Sequence, residues 1–117
     1  MFKTTLVETD ILSGQRVVDE LEKLKLLQVT AAFWLYVEEE DEWKLIIASP
    51  DVAVQGPINL YTRIATMLND LSIDPQKPVQ MPLTKITLVS PDSLLYERVK
   101  QYSRLLETHI YKMPVTS

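Results

Sequence analysis

Lys44-Leu45-Ile46-Ile47-Ala48-Ser49-Pro50-Asp51 returns 41 residues on (44 to 85) as Lys85-Ile86-Thr87-Leu88-Val89-Ser90-Pro91-Asp92. Leu60-Tyr61-Thr62-Arg63-Ile64 is echoed by Leu95-Tyr96-Glu97-Arg98-Val99. Each copy reads as a hydrophobic strand, a Ser-Pro-Asp corner and an amphipathic helix. The corner has a physical logic. Serine accepts free N–H groups at a helix start, proline presets the helical φ, and aspartate suits the positive end of the dipole. The second copy enters its helix at once. In the first copy Val52 to Pro57 are extra, and they predict a helix delayed to Pro57.

Around this doubled unit the pattern predicts a helix over residues 9–25, with Ile11, Val17, Val18, Leu21 and Leu24 on one stripe and Thr9 or Asp10 as cap. Residues 28–37, rich in β-branched and aromatic types, are parted by Glu38-Glu39-Glu40-Asp41 from a second strand over 42–48, an antiparallel hairpin. A second helix spans 57–71, with Ile58, Tyr61, Ile64, Ala65, Leu68 and Leu71 as its apolar stripe. A loop carrying Pro75, Pro78 and Pro82 follows. The pattern then predicts a strand over 85–89, a third helix over 92–107 and a short last strand at 109–113. The expectation is one globular domain over 1–117, of class α+β or α/β. It has a single mixed sheet with a central antiparallel hairpin and three helices, in the order α-β-β-α-β-α-(β).

The hairpin's first strand is apolar on both sides. Ala31, Phe33, Leu35 and Val37 share one face with Val29; Ala32, Trp34 and Tyr36 share the other with Thr30. A half-exposed strand would alternate with polar residues, so this one is central and covered twice. Helices on both faces are one way to cover it. A second copy of the chain over Trp34 and Tyr36 is the other, since aromatic patches suit interfaces.

Composition excludes more than it assigns. The chain has 117 residues and a net charge of -4, without a run of Lys and Arg, which argues against nucleic acid as partner. It has no cysteine, so disulfides and thiolate chemistry drop out. The start, Met1-Phe2-Lys3-Thr4-Thr5, lacks the apolar run of a secretory signal, and no stretch nears the ~18 apolar residues of a membrane span. A cytoplasmic location is expected.

No motif carries catalysis. Gly14 and Gly56 stand alone, so phosphate-cradling glycine loops are missing. Adjacent acids on a hairpin tip diverge and lack the alternating spacing of a calcium loop, which assigns no metal to Glu38–Glu42. Glu42-Trp43-Lys44 with Pro50-Asp51 matches parts of a nuclease superfamily's acid-x-Lys and Pro-Asp signature, but in reversed order. His109 has no serine or aspartate in a recognisable relation to it. One ligand reading survives: the two corners, with Ser49, Asp51, Ser90 and Asp92 and the cations Arg63 and Arg98, framing a small anion or nucleotide. Plain helix capping competes with it, as does an ancient duplication about a pseudo-twofold axis.

Leu6-Val7-Glu8-Thr9-Asp10, Ala31-Ala32-Phe33-Trp34-Leu35-Tyr36, Glu42 to Pro50 and Gly56-Pro57 resemble a group of small, uncharacterised bacterial proteins. The resemblance brings no activity. It implies a bacterial, cytoplasmic, single-domain protein. The reading leans away from an enzyme and assigns no cofactor. It expects a homodimer or a protein partner, bound through the Trp34/Tyr36 face.

Overall fold

The computed structural model describes residues 6–92 and 110–112. The chain builds α1 (Glu8–Lys23), β1 (Ala31–Val37), β2 (Glu42–Ala48), α2 (Asp51–Gln55), α3 (Pro57–Ser72), β3 (Ile86–Val89) and β4 (Ile110–Lys112). The strands form one mixed sheet in the order β3-β2-β1-β4, with the β1–β2 hairpin at its centre. This is the α+β arrangement the sequence predicts. The helix expected over 92–107 lies outside the described residues.

The doubled segment explains itself here. β2 and β3 are parallel neighbours, with Leu45 beside Ile86, Ile46 beside Thr87, Ile47 beside Leu88 and Ala48 beside Val89. The register offset equals the spacing of the repeat, so each residue of one copy lies beside its own counterpart. The Ser49 N–H donates to the Val89 carbonyl at 3.0 Å and carries the pairing into the corner. The two units are thus related by a step of one strand spacing. The pseudo-twofold relation expected of a duplication is not what the sheet contains.

The first corner also differs from expectation. A helix begins at once, because Ser49 Oγ accepts the Asp51 N–H at 3.1 Å and the Ser49 carbonyl accepts the Val52 N–H at 3.2 Å. This helix, α2, lasts five residues. Gly56, at φ +85°, breaks it in a conformation that side chains resist, and Pro57 restarts the helix as α3. The extra residues therefore insert a helical turn and a kink.

At α1 the cap expected from Thr9 or Asp10 is absent. The N-cap is Val7 without a side-chain bond, and Glu8 and Asp10 instead place negative charge in the first turn.

The two faces of β1 feed two apolar clusters. Ala32 and Trp34 join Trp43, Leu45, Ile47, Ile86 and Leu88 beneath Val17, Val18 and Leu21 of α1 and Leu60, Ile64 and Leu68 of α3. Ala31 and Phe33 join Ile46, Ala48 and Val89 on the reverse. Ala31, Ala32, Phe33 and Trp34 are all fully buried, so the first four residues of the strand are dry on both sides within one chain, while Leu35, Tyr36 and Val37 are half-buried. Val29 precedes the strand and packs with Trp34's cluster, not Phe33's. A fully buried Phe or Leu side chain contributes about 1.5–3 kcal/mol. The doubly covered hairpin is therefore the stabilising centre of the molecule.

Candidate functional site

The parallel pairing brings both Ser-Pro-Asp corners to one end of the sheet. Each serine performs the same local task. Ser49 Oγ accepts the Asp51 N–H at 3.1 Å, and Ser90 Oγ accepts the Asp92 N–H at 3.4 Å. Ser49 is fully buried, whereas Asp92 is exposed. Asp51 Oδ2 accepts the Gln28 N–H at 2.7 Å and lies 3.4 Å from Ser49 Oγ. That carboxylate thus fastens the approach to β1 onto the corner. The geometry favours capping, because the groups an anion would seek are already bound by the chain's own serines and acids.

A cleft of about 510 Å³ opens beside the first corner. Glu22 and Lys25 from the end of α1, Gln28 from the approach to β1, and Asp51, Gln55 and Arg63 from α2 and α3 line it. Arg63 Nη1 donates to Gln55 Oε1 at 3.1 Å, which reaches back across the kink. Lys25 sits at φ +54°, a left-handed conformation uncommon for a side-chain-bearing residue. Of the expected anion-binding set, Asp51 and Arg63 share this cleft and Ser49 stands behind Asp51. Arg98 and His109 lie outside the described residues. No local pattern points to Lys25, because its placement depends on how α1 ends.

The hairpin tip is an ion-pair knot. Lys44 Nζ lies 3.0 Å from Glu42 and 3.3 Å from Glu40, and donates to the Thr84 carbonyl at 2.8 Å. The Glu42 hydrogen bond holds the Lys44 amine above its ordinary pKa, with Glu40 adding to it. Tyr36 donates its hydroxyl to Asp41. Across the ladder Tyr36 meets Trp43, ring centroids 5.6 Å apart and tilted by 58°. Among the described residues no three His, Asp or Glu side chains gather as a metal would need.

Trp34 is not at a surface. Its Nε1 donates to Tyr111 Oη at 2.8 Å, and that hydroxyl donates to the Ile11 carbonyl. Gly14 lets α1 come this close: a Cβ there would overlap Tyr111 Oη and stand 3.0 Å from Trp34 Nε1. Burial pushes the Tyr111 phenol above its ordinary pKa, against the hydrogen bond from Trp34. Trp34 has therefore no surface to offer a partner. Tyr36, half-buried, keeps part of its ring in water.

The largest apolar exposure among the described residues lies elsewhere. Val54 at the end of α2 and Ile58 at the start of α3 leave 81% and 79% of their surface in water. A groove of about 440 Å³ runs between α3 and the proline-bounded stretch 79–83, lined by Leu68, Ser72, Val79, Met81 and Leu83 among others.

Among the described residues no helix is long and apolar enough to cross a membrane. Comparison with known proteins found no matching family model, no matching curated protein and no matching solved structure.

Proposed function

We propose that this protein works by binding another polypeptide without catalysis, a second copy of itself being the simplest partner. One observation carries the reading. Val54 and Ile58 are strongly exposed apolar side chains four residues apart, on the corner where Gly56 and Pro57 kink the helix. The Asn59 Nδ2 bond to the Gln55 carbonyl, 2.9 Å, and the Arg63–Gln55 bond tie that corner down. Neighbouring exposed apolar groups suit a contact surface. With Trp34 sealed inside, the contact moves from the sheet face to this corner. The paired Val54→Asp and Ile58→Asp variant tests it. Light scattering from micromolar to millimolar concentration should show self-association in the parent and its loss in the variant, at an unchanged unfolding midpoint. A parent chain that stays monomeric throughout overturns self-association.

A second reading rests on the cleft, where Lys25 and Arg63 place two cations beside Gln28 and Gln55. A small anion carrying further donors, such as a nucleotide, is its candidate ligand. Glu22 and Asp51 on the same wall oppose it. A thermal-shift screen with inorganic phosphate and nucleotides decides: stabilisation that Arg63→Ala abolishes supports the site, and no shift removes it.

A further inference from the structure

β3 ends the strand order, so its outer edge meets no other described strand. Because the Ser49 N–H donates to the Val89 carbonyl, Val89 turns its main-chain groups toward β2, and Thr87, two residues back, does the same. The alternation along a strand then turns those of Ile86 and Leu88 outward. Outward amides and carbonyls on an uncharged strand are a template for another strand. Yet the Leu88 N–H is taken. It donates to Tyr61 Oη at 2.9 Å, from α3, whose Leu60 and Ile64 are packed into the core with Leu88. An N–H···O=C ladder bond also sets its oxygen about 2.9 Å from the nitrogen. The phenol oxygen therefore stands where the carbonyl of an added strand would stand.

The geometry points to Tyr61 as an edge guard that keeps a second copy of this chain from pairing its β3 with this one. A second copy is the occupant to exclude because it always brings the same strand. Two such strands, antiparallel about a twofold axis, satisfy each other's outward groups symmetrically.

Two variants of the full chain test the guard. Tyr61→Phe keeps the ring and removes the acceptor, and exchange of the Leu88 amide, followed by NMR, should quicken about tenfold. Tyr61→Ala removes the ring as well, and its mass by light scattering should climb toward twice the parent's at the same concentration. The Ile86 and Leu88 amides should become protected in the associated form. Measuring each variant against the parent cancels any association through the Val54/Ile58 corner. Unchanged Leu88 exchange in Tyr61→Phe overturns the proposal. So does a Tyr61→Ala chain with the parent's mass, or one whose association leaves those two amides unprotected. Where Tyr61→Ala does not fold, the Tyr61→Phe exchange rate alone decides.

Discussion

Trp34 and Tyr111 join strands β1 and β4 through one hydrogen bond, Nε1 to Oη at 2.8 Å, and the same hydroxyl reaches the Ile11 carbonyl of α1. One phenol thus serves the sheet and the helix above it. Tyr111→Phe would leave a fully buried indole N–H without this partner, which costs about 1–3 kcal/mol. The midpoint of urea unfolding followed by tryptophan fluorescence should fall accordingly. An unchanged midpoint would mean that water or another group replaces the phenol.

Gly14 faces the same knot. A helix interior ordinarily gains about 1 kcal/mol from Gly→Ala, but here the new methyl overlaps Tyr111 Oη. Gly14→Ala should therefore destabilise, by about 1–3 kcal/mol as overpacking does. In a Tyr111→Phe background the colliding oxygen is gone, while the ring carbon Cζ and Trp34 Nε1 stay 3.0 Å from the new methyl, so Gly14→Ala should cost less than in the parent. A double-mutant cycle reads this non-additivity directly; strictly additive costs would refute the collision.

Asp74 is held below its ordinary pKa, first by the Gln76 N–H at 2.9 Å, then by the Lys77 N–H at 3.3 Å, and by Arg16 at 3.0 Å. A depressed folded value means that the stabilisation is present above the ordinary aspartate value of 3.8 and drains away as pH falls through it to the folded value. Asp74→Asn should be less stable than the parent at neutral pH, and the gap should close in acid. A gap that stays constant from neutral pH to strong acid would show that charge plays no part.

Ser49→Ala removes the acceptor of the Asp51 N–H at a fully buried position. The loss should be about 0.5–2 kcal/mol, the ordinary cost of a deleted cap. Ser90→Ala removes the equivalent acceptor, which sits at 3.4 Å on a less buried serine, and should cost less. Equal losses in thermal unfolding would contradict this ranking.

Periodicity alone placed the hairpin, the bounds of α3 and the doubly covered β1, because apolar residues on both sides of Ala31–Val37 leave no polar face for water. The repeat encoded more than its motif: in-register parallel pairing follows from the same spacing, although nothing in one copy says which way its twin lies. The missed elements share a cause. α2 hides in Asp51–Gln55 because five residues show no helical period, and only the serine cap and the Gly56 break define it. Trp34 read as core first and as contact second, and the tie that seals it comes from Tyr111, 77 residues away. The cleft joins Lys25 to Arg63 through the end of one helix and the middle of another, a proximity no local pattern carries.

A rotation of two units closes on itself, but a translation is open-ended. The step that carries the Lys44–Asp51 strand onto the Lys85–Asp92 strand, taken once more, would lay a third such strand along β3 and start a ribbon without a natural terminus. The chain carries only two units, and in the third lane stands the Tyr61 phenol of α3, bonded to the Leu88 N–H.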